Sequence, residues 1–408
     1  MKHTKSKIIA LAKETKFFDK TQKCIFDSFL IDEPYMTKQD IQMFSNELII
    51  PRKLCTGQGQ MVRIRTSGST GQVVEVLWKP QDYVKSNLCL WRLRKKYYNI
   101  NASDIYLTFH IAEDDNLGTR ADVIKKRNSV SVNKSAFSKD DFEQILLGLQ
   151  KHSIKWIFTQ PSVLLLLMHE LKERNMTVQK IFPNLKHIEL NGEVLIESER
   201  KAFLDFFDVP VANLYGASEV NGIAYQCPAG HLHILEDNVF VQLFDYEVIS
   251  TDCYNGEIAV TSLHNSLMPL VSYALGDKIS IQSSDNCKYS RAPVIDVLIG
   301  RTSDTVYLSD NITISSYNCL KWIESINAEY GNPILEYKVK KGRRQLTFVL
   351  YLKEEFGDWS KTITERLKEK IQRVCPECSV AFECVERPIN LSENGKVKQV
   401  NRDKAIRK

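Results

Sequence analysis

The stretch Ile154–Asn175, IKWIFTQPSVLLLLMHELKERN, joins two segments of different periodicity. Its first residues form a short apolar run typical of a strand, and the apolar residues that follow recur at helical spacing. Two more strand-like runs, LKHIELNG at Leu185–Gly192 and VPVANLYG at Val209–Gly216, alternate with helical segments. This alternation is typical of a mostly parallel α/β unit.

Upstream of this unit the chain changes character twice. Roughly the first 55 residues interleave apolar with charged positions, and we expect them to be helical. MVRIR at Met61–Arg65 then alternates like a strand, and VVEVLW at Val73–Trp78 predicts a second one. With the glycine-rich stretch between them, they predict a strand–loop–strand hairpin.

Downstream, the chain is rich in strand patterns from about Gly230 to Ile299. LTFVLYL at Leu346–Leu352 then predicts a strand, and Ser360–Cys375 predicts an amphipathic helix. We therefore predict an α/β protein with two domains. A large multi-subdomain N-terminal α/β domain with a β-rich section would occupy 1–300, and a small mobile α+β C-terminal domain 304–408.

The composition permits a sizeable core and argues against several classes of protein. Hydrophobic residues make up 43% of the 408 residues, which excludes global disorder. The 55 basic and 50 acidic residues nearly balance at +5, so no dedicated nucleic-acid surface is expected. The N-terminal apolar run Ile8–Ala12 is too short for a signal peptide or membrane span. We expect a soluble cytoplasmic protein with reduced cysteines.

The loop of the predicted hairpin has the parts of a phosphate cradle. Backbone N–H groups freed by glycine, together with hydroxyl donors, can wrap an anion. It is not a Walker loop, because no Gly-Lys-Ser/Thr follows it and it enters a strand. A plain turn is the alternative. The loop residues are Thr66, Ser67, Gly68, Ser69, Thr70 and Gly71.

Other short motifs each offer one chemical group and one ordinary explanation. In NLYGASEV, Tyr215 can stack on a flat ring, Ser218 can donate to a phosphate, and Glu219 suits a magnesium ion. In YALGDKISI we expect Asp277 at a strand start, where a carboxylate can accept from two ribose hydroxyls. In NLSENGKVKQV, Lys396 follows a glycine and can reach an anionic transition state. Taken alone, each of these motifs can equally be explained as an ordinary turn or a charged tail.

Taken together and in this order, TSGSTG, YGASE, GD, GRxxD and GK resemble the adenylate-forming superfamily of acyl-CoA synthetases, peptide-synthetase adenylation domains and luciferases. LYGASEV, AYQCPAGHLHILEDN and HNSLMPLVSYALGD are similar to its compact branch of phenylacetate-CoA ligases and capsule-protein-like synthetases. The resemblance runs from about Arg63 to the C-terminus. It implies a magnesium-dependent ligase that joins a carboxylic acid to AMP with release of pyrophosphate and then passes the acyl group to CoA.

The resemblance implies a role for each matched residue. Lys396 matches the catalytic lysine, Ser218 the α-phosphate contact and Glu219 the magnesium ligand. His110 lies beside the substrate carboxylate, with a structural histidine as the alternative. Ser303 and Asp304 mark the hinge of a rotating C-terminal domain. ATP-binding positions are the six loop residues 66–71 together with Gly192, Glu193, Tyr215, Gly216, Asp277 and Arg301.

The sequence leaves the substrate and the acceptor open. The compact branch favours aryl acids of natural-product pathways, of the benzoate, aminobenzoate or hydroxybenzoate type. Asp310 replaces a glycine that shapes the pantetheine tunnel, so a stand-alone adenylating enzyme with a carrier protein, amine or hydroxyl acceptor is the alternative. A non-catalytic nucleotide-binding protein and a nucleotidyl transferase are further rivals. Dimers are common among compact relatives, which leaves a homodimer open.

Two other features have competing interpretations. Cys227, His231, His233 and Cys287 provide the donors for structural zinc. We expect the two histidines to point to opposite sides of an extended segment, which argues against both as ligands and favours a vestigial site with free thiols. The basic run Arg92–Tyr98 is interpreted as a solvated helix face, with steering of CoA phosphates as the alternative.

Overall fold

The computed structural model of the chain describes residues 2–21, 23, 25, 28–50, 61–65, 74–110, 123–133, 139–195, 197–284, 286–301, 306–309, 312–314, 316–331, 333–341, 345–374, 376, 379–385 and 400–402. Within these ranges, no helix has both the length and the apolar character needed to cross a membrane.

Helices and strands alternate through much of the chain. The α-helices are α1 (Lys2–Ala12), α2 (Lys16–Thr21), α3 (Lys38–Phe44), α4 (Pro80–Tyr98), α5 (Lys139–Leu149), α6 (Pro161–Glu173), α7 (Val178–Ile181), α8 (Glu197–Phe207), α9 (Ser316–Tyr330) and α10 (Ser360–Val374). The strands of the first part are β1 (Val62–Arg65), β2 (Glu75–Trp78), β3 (Tyr106–His110), β4 (Val123–Lys126), β5 (Ser129–Asn133), β6 (Trp156–Thr159), β7 (His187–Asn191), β8 (Val211–Ala217), β9 (Asn221–Gln226) and β10 (Leu232–Ile234). Those of the second part are β11 (Val239–Ser250), β12 (Cys253–Ser262), β13 (Tyr273–Gln282), β14 (Val294–Arg301), β15 (Val306–Ser309), β16 (Ile312–Ile314), β17 (Ile334–Lys341), β18 (Gln345–Leu352), β19 (Ser379–Val385) and β20 (Val400–Arg402).

The chain forms two compact units, each of which is discontinuous in sequence. Unit 1 comprises Met1–Ala102 and Ala212–Ile299, and unit 2 comprises Ser103–Val211 and Gly300–Lys408. The expected α/β fold with a β-rich section is confirmed. The division into functional domains at 1–300 and 304–408 stays a prediction, and the hinge residues Ser303 and Asp304 lie outside the described residues.

Unit 1 contains the β-rich section, with strands in the order β11–β12–β13–β14–β10–β9–β8. β1 and β2 pair antiparallel, with Val62 opposite Trp78, so the predicted hairpin is confirmed. The N-terminal segment is helical only in part, because Leu30 and Met36 form isolated bridges to Leu243 and Tyr273. Apolar side chains of this segment are buried in the same core as those of β8–β14, which explains their spacing.

Unit 2 holds the predicted parallel unit, with strands in the order β7–β6–β3–β5–β4. β3 pairs parallel with β5 and β6, and β6 pairs parallel with β7, whereas β4 pairs antiparallel with β5. Helices α5, α6 and α8 pack their apolar faces on these strands. Parallel pairing brings the carboxyl ends of β3, β5, β6 and β7 to one edge, where ligands bind in open α/β sheets.

The C-terminal part of unit 2 is a small α+β layer. Its strands follow the order β19–β18–β17–β20, with β17 and β18 antiparallel and the outer pairs parallel. Helices α9 and α10 cover this sheet, and Trp322, Phe348 and Leu367 are among the buried residues between the layers. The strand predicted from LTFVLYL and the amphipathic helix predicted from Ser360–Cys375 are therefore both confirmed, and the helix ends at Val374.

Candidate functional site

The tip of the β8–β9 hairpin carries the matched serine and glutamate. Ala217 pairs with Asn221, and the N–H of Val220 donates to the carbonyl of Ala217 over 3.1 Å. The chain therefore reverses in the three residues that include Ser218 and Glu219. The side chain of Ser218 is exposed, whereas Glu219 is buried. The turn thus presents a hydroxyl to solvent and directs a carboxylate inward.

Gly216 permits this tight reversal. A Cβ atom added to it would lie 2.6 Å from the backbone oxygen of Asn221 across the hairpin. Real Cβ atoms do not approach backbone oxygen so closely, so any other residue would push the two strands apart. Gly216 therefore has a structural role in the turn, and its proposed contact with nucleotide stays a prediction.

Glu219 is held by a tyrosine that lies outside the matched motif residues. The hydroxyl of Tyr273, in β13, donates to Glu219 Oε1 over 3.1 Å. Glu219 is only 8% exposed, and a carboxylate at such a position needs a compensating donor. The carboxylate keeps lone pairs for a hard cation such as Mg²⁺.

A second tyrosine–carboxylate pair joins the same two strands. The hydroxyl of Tyr215, in β8, donates to Asp277 Oδ2 over 2.7 Å, and Asp277 belongs to β13. The two pairs are reciprocal, because β8 and its turn supply one tyrosine and one carboxylate while β13 supplies the other two groups. Tyr273 precedes Asp277 by four residues, and this spacing was the one signal in the sequence that could have found it.

Asp277 lies inside a strand, so the expectation that it begins one is wrong. Glu257 pairs with Lys278 and Ala259 with Ala274, which leaves Leu275, Gly276 and Asp277 opposite Ile258 alone. Such a bulge needs an unusual backbone, and Gly276 has φ +78°. Bulges redirect the side chains beside them, and here the redirected carboxylate is the one that contacts Tyr215.

In unit 2, the segment after β7 contacts the start of α6. The carboxylate of Glu193 accepts from the backbone N–H of Ser162 over 3.1 Å and from its hydroxyl over 2.9 Å. Gln160, the N-cap of α6, makes no side-chain cap of its own. The negative charge of Glu193 at the N-terminus of α6 also interacts favourably with the helix dipole. The structure thus shows Glu193 as a helix cap, while the adenine-lining role of Gly192 and Glu193 stays a prediction.

Several predicted positions lie at the limits of the described chain. His110 ends β3 and Arg301 ends β14, but their side chains are not among those described. Lys396, Asp310 and the loop residues Thr66 to Gly71 lie outside the described residues. The structure therefore brings together Tyr215, Gly216, Ser218, Glu219 and Asp277 in unit 1.

A second site in unit 1 clusters four potential metal ligands. One ligand atom from each of Cys227, His231, His233 and Cys287 lies within 4.8 Å of the other three. The two sulfurs are 3.9 Å apart, and His233 Nε2 is 3.2 Å from the Cys287 sulfur. Tetrahedral zinc with Zn–S bonds of about 2.3 Å would hold two sulfurs roughly 3.8 Å apart, so the residues fit this ion.

The expectation that the two histidines point apart is wrong. Residues two apart in a strand share a face, and His231 directly precedes β10 while His233 belongs to it. A turn brings Cys227 to the same cluster, because the N–H of Cys227 donates to the carbonyl of His231 over 2.9 Å. The His233 Nδ1 lies 2.8 Å from the carbonyl of Ala292, an arrangement that orients the other ring nitrogen toward the cluster.

The two thiols of this cluster differ in acidity. Burial would raise the pKa of Cys287, but hydrogen bonds from His231, His233 and the backbone at Tyr289 and Ser290 outweigh it and lower the pKa to about 6. Burial raises the pKa of Cys227. A thiolate is the form that binds metal, so Cys287 is suited to be the first sulfur ligand.

Comparison with known proteins identifies the fold. No protein-family model matches the chain. Protein CapK of Staphylococcus aureus is 26% identical over 147 residues, which are 36% of this chain and 30% of CapK. The match therefore spans less than a third of that relative's length.

Solved structures match over much more of the chain. A crystal structure of 2-hydroxyisobutyryl-CoA ligase, in the postadenylation state in complex with R3-HIB-AMP, has TM-score 0.75 at 12% identity and covers 98% of this chain and 88% of that one. ATP-bound MatB from Rhodopseudomonas palustris has TM-score 0.55 at 14% identity and covers 83% of this chain and 66% of that one. The adenylation domain of a carboxylate reductase from Mycobacterium chelonae has TM-score 0.55 at 11% identity and covers 82% of this chain and 57% of that one.

Proposed function

The chain has the fold of the adenylate-forming enzymes, and we propose that it activates a carboxylic acid with ATP. The product would be an acyl-adenylate, with pyrophosphate released. One observation carries the proposal, namely the reciprocal pairs Tyr215–Asp277 and Tyr273–Glu219. They hold two carboxylates at the positions that the resemblance assigns to ribose and magnesium. A protein that used this fold only as a scaffold would have no chemical need for both.

The residues have distinct roles in the proposed reaction. A carboxylate oxygen of the acid attacks the α-phosphorus in line, the bond to the pyrophosphate oxygen breaks, and pyrophosphate leaves with the electron pair. Ser218, exposed on its turn, would donate to the α-phosphate, and Asp277 would accept from the ribose hydroxyls. Glu219 would hold Mg²⁺, which supplies charge neutralisation to the phosphates when bound. Tyr215 would lie against adenine, its ring oriented by the bond to Asp277.

The remaining roles rest on the resemblance. Lys396 would stabilise charge at the α-phosphate during attack, and Arg301 would make a second ribose contact. The loop residues Thr66 to Gly71 would hold the β- and γ-phosphates. His110 would lie beside the acid. The C-terminal domain would rotate about Ser303 and Asp304 between half-reactions.

For the second half-reaction we propose CoA as the acceptor and an aryl acid as the substrate. Aryl acids are the class that the resemblance favours, and a role in natural-product biosynthesis would follow from it. The solved neighbours include a ligase for 2-hydroxyisobutyryl-CoA, so a short hydroxy acid belongs in any panel of substrates. A stand-alone adenylating enzyme with a carrier protein, amine or hydroxyl acceptor is the second candidate, because Asp310 adds a carboxylate where the family has glycine. A homodimer also stays a prediction.

We also propose that Cys227, His231, His233 and Cys287 bind structural zinc. Four protein ligands would fill a tetrahedral shell and leave no open position for catalysis. The cluster joins the residue after β9, the start of β10 and the segment before β14, so the ion would cross-link three neighbouring parts of unit 1. A structural role follows from this closed ligand set.

The proposed function is tested by acid-dependent ATP–pyrophosphate exchange, followed by mass spectrometry of the products. The panel contains benzoate, aminobenzoate, hydroxybenzoate and short hydroxy acids, each with and without CoA. We expect one class to support exchange and to give an acyl-CoA only when CoA is present. Acyl-AMP that persists with CoA would select the other acceptors, and AMP retained on the product would select nucleotidyl transfer. Exchange by Lys396→Ala at the wild-type rate would overturn the catalytic assignment.

A further inference from the structure

Residues 28–37 lie along β11, the first strand in the order of the β-rich section. The N–H of Leu243, in β11, donates to the carbonyl of Phe29, and the N–H of Ile31 donates to the carbonyl of Leu243, each over 2.9 Å. The segment precedes Arg63, where the resemblance to the adenylate-forming enzymes begins. A role for it therefore has to be inferred from its contacts, because no matched motif covers it.

Met36, near the end of this segment, holds the chain on both sides of Tyr273. Its N–H donates to the carbonyl of Ser272 over 3.2 Å, and its carbonyl accepts from the N–H of Ala274 over 2.9 Å. Its sulfur accepts from the N–H of Val271 over 3.4 Å. Met36 and Tyr273 are both buried in the same core. The backbone that carries Tyr273 is thus bonded before and after the tyrosine by a single residue of the segment.

Ser272, directly before Tyr273, has a backbone conformation that needs support from its surroundings. Its φ of +43° lies in the left-handed region. Residues other than glycine seldom adopt this region, at a cost of about 1–3 kcal/mol, and they stay there only where neighbouring groups hold them. The N–H of Ser272 donates to Thr261 Oγ1 over 2.9 Å, and its hydroxyl donates to Gln242 Oε1. The bond from Met36 to its carbonyl is the third contact that holds this conformation.

Gln242 connects Ser272 to the same N-terminal segment by a second route. Its side-chain oxygen accepts from the Ser272 hydroxyl, and its Nε2 donates to the carbonyl of Ser28 over 2.7 Å. Gln242 is fully buried, so the loss of its amide would leave polar partners without their bonds in the core. The chain before Tyr273 is therefore tied to the segment twice, at residues eight positions apart.

We propose that residues 28–37 position Tyr273, with Met36 as the positioning residue, and that Tyr273 in turn fixes the carboxylate of Glu219 for Mg²⁺. The inference rests on the proposed acid activation, in which Glu219 would hold the ion. The Tyr273 hydroxyl lies 3.1 Å from Glu219 Oε1. A displacement of the tyrosine by about 0.5 Å would therefore break this hydrogen bond. The buried carboxylate would lose its donor, and a carboxylate that is not held in place binds a cation more weakly.

The test compares variants of the full chain in acid-dependent ATP–pyrophosphate exchange, titrated with Mg²⁺. M36A removes the side chain that anchors the segment beside Tyr273, and M36L restores most of its volume. The matched control is L48A, because Leu48 is 1% exposed and lies in the same core. Q242M keeps the side-chain volume and removes both hydrogen bonds of the second route, so it tests the proposal even where M36A folds poorly.

We expect the Mg²⁺ concentration at half-maximal exchange to rise about tenfold in M36A and in Q242M, as for other residues that orient a metal ligand. M36L and L48A should stay within about twofold of the wild type, although L48A should lose as much thermal stability as M36A. At saturating Mg²⁺, the rate of M36A should approach that of the wild type. Equal Mg²⁺ shifts in M36A and L48A, or no shift in M36A and Q242M, would overturn the proposal.

A double-mutant cycle with Tyr273→Phe tests whether Met36 acts through the tyrosine hydroxyl. Y273F alone should raise the half-maximal Mg²⁺ concentration by about tenfold. M36A should add little in that background, because the hydrogen bond to Glu219 is already absent. If the two substitutions instead multiply their effects, Met36 acts by another route and the proposal is wrong.

Hydrogen exchange of the backbone amides of Val271 and Ala274, followed by mass spectrometry, gives a measure that needs no catalysis. Both amides donate to Met36, so they should exchange faster in M36A than in the wild type and L48A. Unchanged amide exchange in M36A would contradict the positioning role. A wild type that exchanges no pyrophosphate would refute the proposed function instead, and the amides would still decide whether Met36 positions the chain around Tyr273.

Discussion

The hydroxyl of Tyr215 donates a 2.7 Å hydrogen bond to the carboxylate of Asp277 and thereby links β8 to the bulge in β13. The two residues are 62 positions apart in the chain. A bond to a charged acceptor is stronger than one between neutral groups, and here it also sets the orientation of an aromatic ring. In the proposed function, this ring and this carboxylate would contact the same nucleotide.

Tyr215→Phe should weaken both stability and nucleotide binding. The ring remains, but Asp277 loses a donor, which should lower the free energy of unfolding by about 1–3 kcal/mol. The dissociation constant for ATP should rise by up to about tenfold, because the carboxylate is no longer held in place. Urea denaturation and ATP titration measure the two effects. Tyr254→Phe is the control, since that hydroxyl bonds an exposed backbone carbonyl. Equal behaviour of the two variants would contradict the role of the pair.

Glu219→Gln should remove the magnesium site while preserving the fold. The amide oxygen of glutamine can still accept from Tyr273, so the melting temperature should stay close to that of the wild type. Acid-dependent pyrophosphate exchange should fall by roughly 100-fold or more, because a hard cation loses its carboxylate ligand. The control is Glu247→Gln, at an exposed position of β11. Normal exchange by Glu219→Gln at all Mg²⁺ concentrations would show that Glu219 binds no ion.

Gly216→Ala should distort the hairpin that carries Ser218 and Glu219. Its new Cβ atom would meet the Asn221 oxygen at 2.6 Å, a backbone atom that cannot rotate away. We expect a loss of about 1–3 kcal/mol in the free energy of unfolding. The matched control is Gly357→Ala, where an added Cβ has nothing within 4 Å. If thermal melts find the two variants equally stable, the close approach at Gly216 is not a constraint.

Cys287→Ser should abolish zinc binding. We expect one zinc ion per chain in the wild type and almost none in this variant, measured by plasma mass spectrometry after growth in zinc-supplemented medium. A chelator should lower the melting temperature of the wild type at neutral pH, and this effect should shrink as pH falls, because protons compete for the thiolate and imidazole ligands and less zinc is bound. Cys253→Ser is the control, since Cys253 is a half-buried thiol outside the cluster. Wild-type protein without zinc after reconstitution would refute the site.

Much of the fold was predictable because local patterns and tertiary burial agree. The apolar run before Thr159 and the helical spacing after Ser162 became β6 and α6, since both elements bury the side chains that their patterns mark. The hairpin around residues 66–73 was also predicted, from alternation in β1 and β2. The bridges of Leu30 and Met36 escaped prediction, because isolated bridges have no periodicity.

The site itself was predicted as a set of residues, and its contacts were not. The matched motifs identified Tyr215, Ser218, Glu219 and Asp277, and no pattern in the sequence paired the tyrosine with the aspartate. The prediction that Asp277 begins a strand failed because the strand continues through a bulge at this residue. The position of a bulge depends on the register with the partner strand, which the sequence does not show. The expectation for the two histidines failed because it misapplied strand alternation, which places residues 231 and 233 on one face. The turn closed at Cys227, in contrast, was decided by the tertiary structure.

By itself, the sequence determined the alternation of strands and helices, the positions of the tight turns and the chemical groups available at each. These depend on side chains within a few positions of one another. Only the tertiary structure decided that Tyr273 supports Glu219, that Glu193 caps α6, and that two cysteines and two histidines converge. Such contacts join residues distant in the chain, and burial selects them because a buried polar group must find a partner wherever the fold supplies one.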